Sequence, residues 1–371
     1  MSIHYHLEQF PPGNLHWEEL IPLLGPASAA LARYDGLLQA IPNPQVLLAP
    51  LTTQEAVLSS RIEGTQATAS EVFEFEADEA RFTGERRDDI REVLNYRRAL
   101  SSAVTRLAEL PLSQRLLLDS HRLLMAGVRG ASKAPGEYRR IQNWIGAPGC
   151  TEETARFLPI PPQLLPDAMS SLEKYIHSDS PDKLVQLAIV HAEFEALHPF
   201  LDGNGRLGRM IIPLFLVEKK LLSSPNFFVS AYFDQDRQAY YDALLSVSKS
   251  GDWTPWCRYF LLALTAQALD NEKRARSILS LYQSMKQRMA DLTHSQHAIR
   301  ALDFIFQFPT FTGPSFEKRS EIPIPSARRI LRILRDENIL WTVREPSGRS
   351  PGIFSFRELL RRAEGDFADH E

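Results

Sequence analysis

Between residues 198 and 209 the chain reads His198-Pro199-Phe200-Leu201-Asp202-Gly203-Asn204-Gly205-Arg206-Leu207-Gly208-Arg209, a glycine-rich turn between two helical runs, DKLVQLAIVHAEFEALH and GRLGRMIIPLFLVEKKLL. Gly203, Asn204 and Gly205 are residues able to place consecutive backbone N–H groups around an anion. The helix that follows aims its positive N-terminal end at the same spot. Arg206 and Arg209, three residues apart on one helix face, bring two cations to that end. Asp202 stands where a Mg²⁺ bridging phosphate oxygens could be held. His198, closing the preceding helix, supplies a group that takes up a proton near neutral pH. Each residue alone would be an ordinary turn or cap. Their conjunction describes a polyphosphate cradle with a base beside it, suited to moving a phosphate-containing group onto a hydroxyl.

The rest of the chain agrees with a soluble, mainly helical protein. Its 371 residues allow two or three domains, and a net charge of −4 gives no global pull toward nucleic acid or an anionic membrane. Cys150 and Cys257 lie far apart in no metal-like spacing, which fits a reducing compartment. The opening MSIHYHLEQFPPGN lacks the features of a signal peptide, and MIIPLFLV and YFLLALTAQAL are too short to span a bilayer. A cytoplasmic location with no membrane partner is expected.

Proline punctuates residues 1–50 around one helical stretch, and helices dominate from residue 52. TTQEAVLSSRIEGTQ carries Thr52 and Glu55 at capping-box spacing and should end its helix at Gly64. Residues 130–163 break the helical pattern; RRIQNWIG and ARFLPIPP predict a two-stranded excursion around a polar tip. After residue 295 the order is helix, helix, basic helix, hairpin, the order of a winged helix-turn-helix module. The predicted partition is 1–95, with a helix over about 52–64, then 96–290 and 295–371.

HPFLDGNGRLGR matches the signature of Fic-domain proteins at every defined position, and the resemblance extends over roughly residues 50–265. It implies a Fic-type helical bundle with a β-hairpin flap. The implied activity is transfer of AMP from ATP to a Ser, Thr or Tyr hydroxyl of a target protein, with release of pyrophosphate. By motif position, His198 resembles the base, Phe200 the buried structural anchor and Asp202 the Mg²⁺ ligand. Gly203, Asn204, Gly205, Arg206, Leu207, Gly208 and Arg209 resemble the phosphate-binding stretch. The excursion at 139–160 resembles the flap that aligns the target by strand addition, with Ile145 and Gly146 nearest the nucleotide. AYYDALLSVSKSGDWTPW resembles the segment whose first tyrosine walls the adenine site, here Tyr240. Relatives often have Asn eight residues further on, where this chain has Ser248.

SSRIEG, residues 59–64, adds a regulatory expectation. A carboxylate in the last turn of a helix opposes the dipole. Ser59, Glu63 and Gly64 resemble the inhibitory pattern of Fic proteins that carry an N-terminal inhibitory helix. That likeness implies that Glu63 pairs with Arg209 and denies it to the γ-phosphate. The competing reading is a solvated glutamate paired with Arg61. In the C-terminal part, Arg328, Arg329, Arg332 and Arg335 cluster on or near one helix face, and Arg344 and Arg349 lie in the wing. These cations suit either DNA docking or solvated positions on a protein-interaction module. Three function classes follow: an autoinhibited protein adenylyltransferase, a de-AMPylase or transferase of another phospho-moiety, and a DNA-binding regulator. Self-modification and a homodimer are further expectations.

Overall fold

A computed structural model describes residues 2–147, 149–348 and 350–365. Arg349, one of the two wing arginines, lies outside the described residues, as do residues 366–371. The chain begins with β1 (Ile3–His4), α1 (Trp17–Ala40), α2 (Pro44–Leu47), α3 (Ala49–Ile62), α4 (Ala69–Ala77), α5 (Gly84–Leu107) and α6 (Gln114–Leu124). After β2 (Phe157–Leu158) come α7 (Leu165–His177), α8 (Lys183–Leu197), α9 (Asn204–Glu218), α10 (Ser230–Gln235), α11 (Arg237–Ser250) and α12 (Thr254–Thr293). The remainder is α13 (Ala298–Gln307), β3 (Thr310–Thr312), α14 (Gly313–Arg319), α15 (Ile324–Asp336), β4 (Trp341–Arg344), β5 (Ile353–Ser355) and α16 (Arg357–Glu364).

Residues divide between two compact units that cut the chain differently from the linear partition at 95 and 290. One unit comprises Met1–Asp35, Leu58–Gly64 and Asn95–Leu269, the other Gly36–Val57, Thr65–Leu94 and Asp270–Glu371. The physical reason is that α1, α3, α5 and α12 each contribute residues to both, so composition shifts along the sequence do not mark the boundaries.

The first unit is organised around α8. Asp182 caps it by accepting from the Leu184 and Val185 N–H groups at 2.8 and 3.0 Å, satisfying donors that a helix start leaves open. Residues 184–194 are buried, and α8 packs against α7, α9 and α11. α9 is likewise buried from Asn204 to Leu216. Two helices buried on nearly every side explain why both runs carry so little polarity apart from the residues that face the site.

The second unit holds an antiparallel sheet in the order β3-β5-β4. Phe304, on α13, packs edge-on against Phe311 and Phe316 at 5.1 Å, closing a small aromatic core. The hairpin expected at the wing forms as β4 and β5, with an irregular register between Thr342 and Arg344. α14 is the short second helix of that C-terminal order; Thr312 caps it by accepting from the Ser315 N–H at 3.3 Å.

Two local expectations are corrected. α3 starts at Ala49 rather than Thr52, and the Thr52 hydroxyl donates to the Leu48 carbonyl at 3.3 Å. Thr52 and Glu55 therefore lie inside a helix and do not cap it; the reciprocal capping box belongs to Thr68 and Glu71 on α4. The two-stranded excursion is also smaller than expected. Ile145 makes a single antiparallel bridge to Phe157, and the other edge of β2 is taken by β1 in parallel register, Ile3 opposite Phe157 and His4 opposite Leu158.

Candidate active site

His198 ends α8 in the left-handed region, φ 47° and ψ 60°, a conformation that costs a non-glycine residue of order 1–3 kcal/mol unless its surroundings hold it. Arg139 and Asn143 provide the hold. Arg139 Nε donates to the His198 carbonyl at 3.0 Å, its Nη2 reaches the Ile160 and Leu197 carbonyls, and its backbone N–H donates to the Pro199 carbonyl at 2.9 Å. Asn143 Nδ2 donates to the His198 and Phe200 carbonyls at 3.3 and 3.0 Å. His198 Nδ1 lies 3.3 Å from the Glu195 carbonyl. A carbonyl only accepts, so Nδ1 carries the hydrogen and Nε2 is left as the proton acceptor. Enclosure pushes the imidazole down to about 4, against the pull of the Glu195 carbonyl and Glu63, so it is neutral at neutral pH.

The turn that follows is braced from inside. Phe200 is fully buried and stacks on His121 at 3.8 Å. Asn204 closes the turn on itself: its Oδ1 accepts from the Phe200 N–H and its Nδ2 donates to the Phe200 carbonyl, both at 2.8 Å. His121 Nδ1 accepts from the Gly136 N–H at 2.8 Å, which leaves Nε2–H to donate to the Asp202 carbonyl at 2.9 Å. Burial lowers this histidine to about 4, which keeps it in that neutral tautomer. Gly203, at φ 81°, takes a backbone angle that other residues resist, and α9 starts at the next residue with no side-chain cap. Its first N–H groups are thus open to an anion.

At that open end sits the carboxylate of Glu63. A side chain at Gly205 would collide with Glu63 Oε1, so Gly205 clears the space that the carboxylate fills. Arg209 Nη2 donates to Glu63 Oε1 at 2.6 Å, to the Ser59 carbonyl at 2.8 Å, and Nε donates to the Ser59 hydroxyl at 3.0 Å. Arg209 is 1% exposed and Glu63 34%. Desolvation alone would raise the Glu63 carboxyl; the Arg209 guanidinium outweighs it and holds the group below the usual carboxylate range. Burial likewise opposes the charge on Arg209, and Glu63 more than compensates. Charge-assisted bonds of this kind are among the stronger polar contacts in a protein. Gly64, at φ 105°, turns the chain away just past the helix end. Arg61 pairs instead with Asp234, its Nε at 2.9 Å from Oδ2.

A cavity of about 780 Å³ brings most of these groups together: His198, Glu63, Gly205, Arg209, Tyr240, Ile145 and Gly146 line it, joined by Glu195, Tyr241, Arg156 and Ser248. Asp202 and Arg206 are not in its lining. Asp202 Oδ1 lies 3.3 Å from Arg206 Nη2, with the Asp202 side chain 42% exposed and that of Arg206 only 4%. Leu207 is fully buried, so it packs the head of α9 and cannot touch a ligand in the cavity. Gly208 accepts with its carbonyl from His191 Nδ1 at 3.1 Å, while His191 Nε2 accepts from the Tyr240 hydroxyl at 2.9 Å. Tyr240 is 1% exposed and stacks on Phe233 at 4.3 Å; Tyr241 is 36% exposed. Tyr240 therefore anchors the wall while its neighbour offers the more accessible ring.

Four residues escaped the sequence reading. Arg139 and Asn143 act on backbone carbonyls far along the chain, and no residue spacing signals that. His121 left a trace, being a polar residue on the buried face of α6 with Leu117 and Leu124. Glu195 is the fourth: its Oε1 is buried without a hydrogen-bond partner and packs against Gly208. Burial raises its carboxyl to about 7, Arg209 opposing and Glu63 adding to the shift.

A helical bundle with this loop at the head of a buried helix defines the Fic class, and comparisons with known proteins agree. The Fic/DOC family N-terminal model matches residues 21–105 and the Fic/DOC family model residues 111–216. The chain belongs to the Fic/DOC family. It is 29% identical over 206 residues to a probable protein adenylyltransferase of Aquifex aeolicus, covering 54% of this chain and 58% of that protein. A protein adenylyltransferase of Caenorhabditis elegans is 25% identical over 146 residues, 38% of this chain and 25% of that protein. The matched stretch is thus under two thirds of either relative's length. Among solved structures, a Fic family protein from Desulfovibrio desulfuricans aligns with a TM-score of 0.60 and 22% identity, over 93% of this chain and 98% of that one. A Fic domain-containing signalling protein from Bacteroides thetaiotaomicron gives a TM-score of 0.55 at 17% identity, over 68% and 97%.

Proposed function

We propose that the protein is a protein adenylyltransferase that transfers AMP from ATP to a target hydroxyl and is held inactive by Glu63. The observation that carries this reading is the placement of Glu63 on Arg209, in the cavity that His198 lines. The Glu63 carboxylate stands over the head of α9, where the donor groups favour an anion; it is in effect a substitute for a phosphate. With Glu63 withdrawn, Arg209 is released to the terminal phosphate and the α9 N–H groups face the α- and β-phosphates. The target hydroxyl then attacks the α-phosphorus, His198 Nε2 takes its proton, the new O–P bond forms and the bond to the pyrophosphate oxygen breaks. In the resting state the same ATP lacks its Arg209 contact and is held out of line.

Among the described residues no group of three or more potential ligands could hold a metal by itself. Asp202, one half-exposed carboxylate beside the proposed phosphate site, is the residue that would hold a Mg²⁺. That ion would neutralise phosphate charge. The target segment would lie along the flap; because β1 covers the Phe157–Leu158 edge, strand addition falls to the 140–147 side.

Residues from 295 onward we read as a docking module of winged-helix type. Arg328 is paired with Glu317, Arg329 donates to the Thr293 carbonyl, and Arg335 sits over the Phe354 ring. These internal partners favour a protein contact, a second copy included, over groove docking.

The test of the chemistry is ATP labelled at the α- or the γ-phosphorus, incubated with lysate and the Glu63→Gly protein. AMP transfer predicts α-label and no γ-label on a protein band; γ-label on that band would contradict it.

A further inference from the structure

Two carboxyl groups stand over one face of α9. A side chain at Gly205 would collide with Glu63 Oε1, and one at Gly208 with Glu195 Oε1. The two glycines are three residues apart, so they share a helix face, where neighbouring side-chain positions are about 5–6 Å apart. They leave a recess along the helix that the two carboxyls fill side by side. Arg209, next to Gly208 and one turn on from Gly205, acts on both.

The two groups are partnered differently. Glu63 Oε1 accepts from Arg209 Nη2 at 2.6 Å. Glu195 Oε1 is buried with no hydrogen-bond partner. A charged oxygen buried without a donor is costly. A neutral acid avoids most of that cost, with its carbonyl oxygen against Gly208 and its hydroxyl turned to the cavity. Burial pushes this carboxyl up to about 7 against the pull of Arg209, with Glu63 adding to the rise. From α8 the cavity receives Ala192, Glu195 and Ala196, so Glu195 stands between two small neighbours. The charged and titratable groups around it are Arg209 on α9, Tyr240 and Tyr241 on α11, Glu63 past α3, and neutral His198 past the end of α8. Arg156, which also lines the cavity, is tied to Asp242.

We propose that the Glu195 carboxyl group donates a hydrogen bond to the terminal phosphate of the bound nucleotide, beside Arg209, and so favours a triphosphate over a diphosphate. The proposal rests on the reading of this cavity as the nucleotide site, with the Glu63 carboxylate standing where the terminal phosphate goes. A tetrahedral phosphate is broader than the planar carboxylate it replaces, and the next position along the recess is that of Glu195. A neutral acid gives that phosphate an O–H···O⁻ bond, one of the stronger kinds. The ionised form would repel it. A diphosphate in the same register ends short of the recess and gains nothing from Glu195.

The test is equilibrium binding of ATP and ADP to the full-length Glu63→Gly protein, which leaves Arg209 open to phosphate, at about pH 7 and about pH 8.5. Glu195 loses its proton across that span, so the preference for ATP over ADP should fall on the order of tenfold. With Glu195→Gln added, a neutral donor remains at every pH; the preference should lie within about twofold of the parent's at the lower pH and move less than about twofold at the higher. With Glu195→Ala added, donor and charge are both gone, and the preference should be on the order of tenfold below the parent's at the lower pH and insensitive to pH. A pH effect in the folded Glu195→Gln protein as large as the parent's would overturn the proposal. So would an undiminished preference for ATP in the folded Glu195→Ala protein. If the parent binds neither nucleotide, the nucleotide reading of the cavity falls; if it binds both and the preference moves with neither pH nor substitution, only the role of Glu195 falls.

Discussion

The loop at 198–209 and the flap candidate at 139–160 line the same cavity but are braced by different means. The loop carries much of its own bracing. Asn204 ties back to Phe200, Gly203 supplies the left-handed turn, and the charges needed for phosphate lie within the next two turns of α9. The flap relies on distant partners. One edge of β2 is paired with β1, more than a hundred and fifty residues earlier, and Asn143 and Gln142 fasten it to the carbonyls of His198, Phe200 and Pro159. A loop proposed to bind an anion is thus braced within its own sequence, while the surface proposed to meet a target hangs on bonds to distant residues.

Substitutions on the loop side should therefore act on chemistry, and those on the flap side on alignment. The largest effect is expected for His198→Ala, which removes the proton acceptor. Transfer in the activated protein should fall by roughly 10²–10⁴-fold with ATP affinity within about twofold; loss of ATP binding in parallel would place His198 in the wrong role. Arg139→Ala comes next, because it strips the support from both sides at once. We expect a stability loss of about 2–4 kcal/mol, since several buried carbonyls lose their donor. Transfer should fall more than ATP binding, and a variant as stable as wild type would contradict the bracing assigned to Arg139.

Acid should separate the groups next. Burial lowers His121 and His198 to about 4 and His191 to about 3. The unfolded chain takes up those protons near pH 6.5, so the histidines cost stability as pH falls from about 6.5 toward 4. Glu195, raised to about 7, acts oppositely: the fold holds its proton below that pH and the unfolded chain does not until about 4.5. Unfolding near pH 5.5 should thus take up about two protons net. Denaturant midpoints between pH 7.5 and 5 should drop accordingly, and Glu195→Gln should steepen the slope by about one proton. A flat profile would contradict the burial argument. The smallest effect is expected for Ile3→Pro, which deletes the N–H that donates to the Arg156 carbonyl at 3.2 Å. Global stability should change by about 1 kcal/mol or less, yet the Phe157 amide, bonded to the Ile145 carbonyl, should lose hydrogen-exchange protection. Unaltered exchange there would mean that β1 does not brace the flap.

The same contrast governs what the sequence disclosed. The loop was readable because the residue types that make an anion site lie within twelve consecutive positions, and Glu63 because a carboxylate at the wrong end of a helix is a local electrostatic misfit. The α3 start was misplaced because Thr52 and Glu55 satisfy capping spacing while their backbone stays helical, a case of tertiary context deciding a boundary. The flap was over-read as a hairpin because its extended residues pair with β1 instead of mainly with each other, and no spacing within 130–163 encodes a partner at Ile3. Arg139 and Asn143 were invisible for a related reason: what they hold is backbone, which has no sequence signature.

In the proposed resting state Glu63 keeps the site quiet by occupying Arg209. The direct measurement is the initial rate of α-labelled AMP incorporation by wild type and by Glu63→Gly, at equal folded concentration and saturating ATP. A rate at least about tenfold higher is expected in Glu63→Gly, the minimum for losing one charge-assisted contact, with that gain abolished when Arg209→Ala is added. Equal rates in wild type and a folded Glu63→Gly would contradict it.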